Sequence, residues 1–247
     1  MQKATDAFGL RHTQLKSLIP SALAQKYLDA EQEAMGENRL ITALFADISG
    51  STELAATRST ELMFQLIQDC FKELVNIVAG YEGSISGFRG DGLLALFGAP
   101  ILHENDAERA ILAAIDMREA LHKQGLDITV GINTALMTVG EIKTQLHAEY
   151  TAYGTEIVLA RRLQETANRG QIFVGTGTYR QTHRAFDFRR LENLTLRGFD
   201  ERIVAYEVLN PKVHPEKVRG IEGLRARMIG REREFSGCHR LWRRSAD

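Results

Sequence analysis

The sequence predicts an α/β (α+β) domain with extensions at both ends. Apolar runs of strand length alternate with longer segments in which apolar residues recur every three or four positions, as expected for strands and amphipathic helices. The chain has 247 residues, of which 44% are hydrophobic and 26% are charged. This length and composition are typical of one well-packed globular domain with additional segments.

The composition also excludes several classes of protein. A net charge of −1 argues against nucleic-acid binding, because phosphate recognition requires a basic excess. No apolar run reaches the roughly 18 residues of a membrane span, and the first ten residues lack a signal-peptide core. The two cysteines, Cys70 and Cys238, are too few and too far apart for a disulfide framework or a zinc site. We expect a cytoplasmic protein with no nucleic-acid or membrane partner.

The chain opens with a helical segment over residues 1–37, followed by an unusual strand. Residues 41–52 read I-T-A-L-F-A-D-I-S-G-S-T, so an apolar strand ends at the single carboxylate of Asp47. Small residues follow, whose backbone N–H groups can approach an anion closely ahead of a helix. The alternative is an ordinary strand end with a capped helix, since Ser and Thr are common N-caps.

The following elements alternate between helix and strand. A long helix follows Thr52 and ends at Gly80, and a second helix covers residues 106–123. A third helix begins after Gly154 and turns Ile157, Ala160 and Leu163 inward. Strands are predicted at residues 128–134, 137–142, 171–174, 186–192 and 203–209, with a short strand before Gly154.

Two short strands flank the turn Arg89-Gly90-Asp91-Gly92, where glycines permit the positive φ angles of a tight hairpin. An Asp in such a turn is usually turn chemistry alone. The second strand is fully apolar, however, so a central hairpin can place Asp91 beside the end of a neighbouring strand, such as Asp47. His103 lies in a loop without a partner histidine, so we expect it to be solvated.

With both acids identified, the chain resembles the catalytic domain of class III nucleotidyl (adenylate/guanylate) cyclases over residues 38–210. The matching motifs are L-F-A-D-I-S-G-S-T at 44–52, G-D-G-L-L-A-L-F-G-A-P at 90–100, V-G-I-N-T at 130–134, Y-T-A-Y-G at 150–154 and L-R-G at 196–198. The resemblance implies a ferredoxin-like βαββαβ fold with additional strands. It also implies a head-to-tail dimer with two sites at the interface.

One chain supplies the metal half of each implied site. Asp47 and Asp91, with the carbonyl of Ile48, hold two Mg²⁺ or Mn²⁺ ions, for which oxygen ligands are suited. The ribose 3′-hydroxyl of ATP (or GTP) attacks the α-phosphate in line, giving a 3′,5′-cyclic monophosphate and pyrophosphate. The terminal phosphates rest on the backbone of Ser49, Gly50, Ser51 and Thr52.

The partner chain supplies the other half, and two of its positions depart from the family pattern. Thr151 matches the base-reading position, Arg162 the transition-state arginine, and Arg197 the phosphate-binding lysine with its charge retained. Gly87 replaces the base-reading lysine, and Val158 replaces the ribose-holding asparagine.

These two losses leave open a catalytically weak or silent cyclase-homology domain that senses nucleotide and metal. They also leave open a heterodimer, instead of a homodimer, with a related cyclase domain. Residues 211–247 are interpreted as a linker and the start of a further, truncated module. Within them, Met228 to Glu234 resembles the entry to the ATPase module that follows cyclase domains in large bacterial signalling proteins; the alternative is a solvated basic tail.

Overall fold

The computed structural model describes residues 36–49, 60–143 and 148–212. The predicted N-terminal helix, the predicted phosphate-binding residues Gly50, Ser51 and Thr52, and the tail from residue 213 lie outside the described residues. No described helix is both long and apolar enough to cross a membrane.

The described elements follow the predicted alternation. They are β1 (Glu37–Ser49), α1 (Thr60–Gly80), β2 (Ser84–Arg89), β3 (Gly92–Phe97), α2 (Asp106–Lys123), β4 (Asp127–Lys143), β5 (Ala148–Tyr153), α3 (Thr155–Thr166), β6 (Ile172–Gly175), α4 (Thr176–Thr182), β7 (Phe186–Leu194) and β8 (Ile203–Pro211). The first six elements have the βαββαβ order that the resemblance implies. Helix α4 was not predicted.

The strands form one sheet in the order β2-β3-β1-β4-β6-β8-β7, and β5 pairs with the far end of β4. The prediction of two separate strands at 128–134 and 137–142 is wrong, because β4 runs unbroken through both. Its pairing with β1 continues across the expected turn, where Ala135 lies opposite Ile41 and Leu136 opposite Leu40. A partner strand of this length holds the backbone extended where the local sequence contains no strong breaker.

The two faces of β1 have different neighbours. On one face, Leu44, Ala46 and Ile48 pack into a core with residues of α1 and α2, including the buried Cys70 that the helical pattern predicts. On the other face, Ile41 and Ala43 pack in a smaller cluster that includes Ala160 of α3. Successive strand side chains point to opposite faces, so Asp47 belongs to the α3 face.

Helix α3 approaches the sheet closely at Gly131 of β4. A Cβ atom built on Gly131 would lie 2.1 Å from the carbonyl oxygen of Ala160 and 2.3 Å from the backbone nitrogen of Gln164. The Gln164 side chain donates a 2.7 Å hydrogen bond to the Thr129 hydroxyl, and Thr129 lies opposite Asp47 in the β1–β4 register. The position of α3 over the end of β1 therefore depends on a glycine.

The expectation that His103 is solvated is wrong. Its Nε2 lies 2.9 Å from a carboxylate oxygen of Glu82, and its Nδ1 lies 3.2 Å from one of Asp106. Arg109 also contacts Glu82, at 3.4 Å. Asp106 is a local partner, three residues along the chain, whereas Glu82 comes from the turn after α1, which no local pattern reveals.

We expect the substitution Gly131→Ala to lower the free energy of unfolding by about 2–3 kcal/mol, because the methyl group would overlap the backbone of α3 and force it away from the sheet. Urea denaturation of the full chain, followed by circular dichroism, measures this change.

The matched control is Gly80→Ala at the end of α1, where an added Cβ meets no atom within 4 Å. This control should raise the free energy of unfolding by less than about 1 kcal/mol, because alanine reduces the conformational entropy of the unfolded chain. Equal destabilisation by both substitutions would contradict the role assigned to Gly131.

Candidate functional site

The structure brings Asp47 and Asp91 together. Asp47 lies near the end of β1, opposite Gly92 of β3, and Asp91 lies in the β2–β3 turn. The turn is closed by Gly90 at φ 63°, a conformation that favours glycine. The Ile48 N–H donates to the Asp91 carbonyl oxygen at 3.2 Å, which ties the turn to β1.

The two carboxylates form an electrostatically strained pair. The pKa of Asp47 is raised to about 6, first by burial and then by charge repulsion from Asp91 and a side-chain hydrogen bond to it. A cation between the two side chains would remove this repulsion. The donor set therefore fits a hard divalent metal ion, which prefers carboxylate oxygens.

Two carboxylates do not complete a metal site by themselves. Within the described ranges, no group of three or more His, Cys, Asp or Glu side chains could hold a metal ion. Hard cations at phosphate-transfer sites commonly take one or two protein carboxylates and complete their shell with substrate oxygens and water. The pair fits this kind of site better than a structural metal site, because two protein carboxylates leave most of the metal's shell unfilled.

A pocket of about 470 Å³ opens beside Asp47. Its walls come from the ends of β1, β3 and β4 and from the second half of α3. Its polar and charged lining residues are Asp47, Ser49, Thr129, Arg161, Gln164 and Glu165. Of the predicted phosphate-binding residues that the structure describes, Ser49 lies in this pocket and Arg197 does not.

The two predicted base-reading positions lie near each other on different strands. Thr151 on β5 is buried, and its hydroxyl accepts a 2.8 Å hydrogen bond from Ser86. Ser86 precedes Gly87 on β2, at a shift in the β2–β3 register. Neither Thr151 nor Gly87 lines the pocket at Asp47, so within one chain the base-reading positions and the carboxylates are separate.

Arg162, the predicted transition-state residue, is also away from this pocket. Its side chain is 24% exposed and pairs with Glu165 one turn along α3. Its Nε is the one buried side-chain polar atom in the described part of the chain without a hydrogen-bond partner. Val158, one turn earlier, is 42% exposed and presents an apolar surface where the resemblance implies an asparagine.

Four polar residues near these positions were missed by sequence reasoning: Ser86, Arg161, Gln164 and Glu165. The i, i+4 spacing of Arg161 and Glu165 is a local signal of a helix-surface ion pair, seen here at 3.0 Å. Their position beside Asp47 has no local signal, because it depends on how α3 crosses the sheet.

The model of the adenylate and guanylate cyclase catalytic domain family matches residues 34–210. Over 174 residues the chain is 30% identical to an uncharacterised protein of Mycobacterium tuberculosis, covering 68% of this chain and 31% of the relative. It is 28% identical over 181 residues to adenylate cyclase 1 of Rhizobium meliloti, and this match covers 68% of this chain and 27% of the relative. The matched region thus spans less than a third of each of these relatives.

Solved cyclase structures share the fold. The adenylyl cyclase CyaB from P. aeruginosa is 29% identical with a TM-score of 0.69, covering 72% of this chain and 98% of that one. The guanylyl cyclase Cya2 is 26% identical with a TM-score of 0.68, and the match covers 74% of this chain and 98% of Cya2. These similarities confirm the predicted mixed α+β fold, and the family match over most of the chain shows that it belongs to the adenylate and guanylate cyclase catalytic domain family.

Proposed function

We propose that this chain is a nucleotidyl cyclase that converts ATP to its 3′,5′-cyclic monophosphate and pyrophosphate at a dimer interface. The observation that carries the proposal is the close pair of Asp47 and Asp91, of which Asp47 lines a pocket. ATP is proposed because adenylyl cyclases are among the similar proteins; GTP is the alternative, since a guanylyl cyclase is among them too.

Asp47 and Asp91 would hold two Mg²⁺ or Mn²⁺ ions, with the Ile48 carbonyl as a further ligand. When bound, such ions supply the positive charge that acidifies a ribose hydroxyl and offsets charge on the phosphates. The protein's own contribution is to hold two carboxylates close together in a partly buried position before any ligand arrives. The raised pKa of Asp47 supports this role, because it reflects partial burial of the carboxylate and repulsion by Asp91.

The phosphates would lie on the backbone of Ser49 to Thr52, of which Ser49 lines the pocket. The roles of Gly50, Ser51 and Thr52 stay predictions. A partner chain would bring Thr151, Arg162 and Arg197 to the site. The separation of Thr151 and Arg162 from Asp47 within one chain supports this division, as does the unsatisfied Nε of Arg162.

We infer slow turnover and weak base selection. Gly87 has no side chain to donate to a base edge, and the exposed Val158 cannot hydrogen-bond a ribose. Loss of a catalytic hydrogen-bond donor costs about 10²- to 10³-fold in rate in other enzymes. A partner that carries the missing lysine and asparagine would form a more active heterodimer with this chain's carboxylates.

The wider setting stays a set of predictions. We propose that the protein acts in the cytoplasm without nucleic-acid or membrane partners. The resemblance of Met228 to Glu234 to the entry of an ATPase module suggests regulation by such a module. Those residues lie outside the described ranges.

We expect the purified full chain to form cyclic nucleotide from ATP with Mn²⁺, and Asp47→Ala to lower this rate at least about 100-fold, because a metal-binding carboxylate is lost. Chromatographic detection of cyclic AMP and cyclic GMP measures the activity with each substrate.

The control is Asp69→Ala on α1, whose exposed carboxylate pairs with Lys72 away from the site. It should retain the wild-type rate. Metal-dependent nucleotide binding without any product would rule out the homodimeric enzyme and favour the sensor or heterodimer alternative.

Removing the Asp47 charge should stabilise the metal-free protein near neutral pH. The folded-state pKa of Asp47 is raised, so its contribution to stability is present below about pH 4 and is lost as pH rises through about 6. Asp47→Asn avoids this loss. Because the side chain is only partly buried, we expect a gain of about 1–2 kcal/mol at pH 7 that vanishes near pH 4.

Urea denaturation in EDTA at several pH values measures this difference. Addition of Mn²⁺ at pH 7 should stabilise the wild type more than Asp47→Asn. A difference between the two proteins that does not change with pH would contradict the proposed charge repulsion.

The double substitution Gly87→Lys and Val158→Asn should raise the turnover of the homodimer about tenfold or more, because it restores two polar groups of the partner half. Steady-state kinetics with ATP and GTP measures the change. The matched control places the same residues elsewhere on exposed surface, as Leu62→Lys with Leu209→Asn. An increase in neither kcat nor kcat/KM would count against the two assignments.

A further inference from the structure

The pocket beside Asp47 contains an arginine to which the cyclase resemblance assigns no role. Arg161 lies in the second half of α3 and is the only Lys or Arg among the residues that line this pocket in the described part of the chain. Its side chain is 47% exposed, so it can reach a ligand without losing a buried position. A cation in the pocket that opens beside the Asp47–Asp91 pair is suited to a ligand that carries negative charge.

The helix that carries Arg161 is held firmly against the strand end. The close contact at Gly131 and the 2.7 Å hydrogen bond from Gln164 to Thr129 both join α3 to β4. Thr129 is opposite Asp47 in the register, so the same strand pairing sets the positions of the carboxylate and of the helix. Arg161 therefore reaches the pocket from a rigid element, as a positioned binding residue requires.

The Arg161 guanidinium is only partly used in the structure. Its Nε donates a 3.0 Å hydrogen bond to Glu165, which leaves four of its five N–H donors for other partners. An exposed i, i+4 ion pair of this kind is weak, at about 0.3–0.5 kcal/mol. A polyphosphate, which accepts paired hydrogen bonds from arginine, can therefore compete with Glu165 for the guanidinium.

We infer that Arg161 binds the phosphates of the nucleotide held by Asp47 and Asp91 of the same chain. The inference rests on the proposed function. Two divalent ions do not neutralise two carboxylates and a triphosphate together, so a further cation at the pocket is favourable. Arg161 is the residue in the lining that provides it.

The neighbouring Arg162 serves a different surface. Consecutive residues on an α-helix point about 100° apart, and Arg162 is absent from the pocket lining. Glu165 pairs with both arginines, at 3.0 Å with Arg161 and in close contact with Arg162. Helix α3 thus carries one arginine toward its own chain's carboxylates and one away from them, with a single carboxylate between the two.

Equilibrium binding to the full chain tests this inference. The probes are the non-hydrolysable analogue α,β-methylene-ATP and inorganic tripolyphosphate, each with Mn²⁺, followed by isothermal titration calorimetry. We expect Arg161→Ala to weaken both probes about tenfold and Arg161→Lys about threefold, since lysine keeps the charge without the paired geometry. An equal effect on both probes identifies a phosphate contact, because tripolyphosphate has no base or ribose.

Two further variants separate the possible failures. Asp47→Ala should remove the Mn²⁺ dependence of binding, and Arg190→Ala on β7, an exposed arginine near Glu192, should bind both probes as the wild type does. Unchanged binding by Arg161→Ala alongside loss in Asp47→Ala overturns the Arg161 inference and leaves the proposed function standing. Loss of nucleotide binding without loss of tripolyphosphate binding also overturns it. A wild type that binds neither probe overturns both.

Discussion

The pairing of β1 with β3 forces two carboxylates together, and the rest of the site depends on this constraint. Asp47 lies opposite Gly92, and the backbone hydrogen bond from the Ile48 N–H to the Asp91 carbonyl oxygen holds the β2–β3 turn against the end of β1. This proximity is unfavourable in the absence of a bound cation, because the two negative charges repel each other. Partial burial and this repulsion both raise the pKa of Asp47. A fold that maintains such a pair has the arrangement expected where a cation binds, and functional sites commonly carry local strain of this type.

Helix α3 links this pair to the remainder of the site. Gly131 allows the helix to lie against β4, and this contact places Gln164 on Thr129 and the pocket wall beside Asp47. The two arginines of α3 then face different directions, with Glu165 bonded to both. A small change in the position of α3 on the sheet would thus move both arginines together. Packing against the sheet and the charge at the site are therefore coupled through this helix.

The residues proposed to hold metal match the resemblance more completely than those proposed to serve a partner's site. Asp47 and Asp91 lie close together in the structure, whereas Gly87 and Val158 stand where the resemblance implies a lysine and an asparagine. The hydrogen bond between Ser86 and Thr151 provides a polar contact next to Gly87, in the region proposed to read the base. The cyclase fold itself is unaffected, as similar structures with 26% and 29% identity share it. Fold depends on apolar periodicity, and base and ribose recognition depends on a few polar side chains.

The sequence by itself determined helices α1 to α3, most strands and the hairpin at Gly90, and it singled out Asp47 and Asp91 as candidate site residues, because periodicity and turn chemistry are local properties. The short helix α4 was not predicted. Only the tertiary structure decided that β4 is continuous, that His103 contacts Glu82 and Asp106, and that Arg161 faces the pocket. Apart from the local contact between His103 and Asp106, each of these depends on strand register or on packing between separate segments. Periodicity shows which residues turn inward, but long-range pairing decides which residues they meet there.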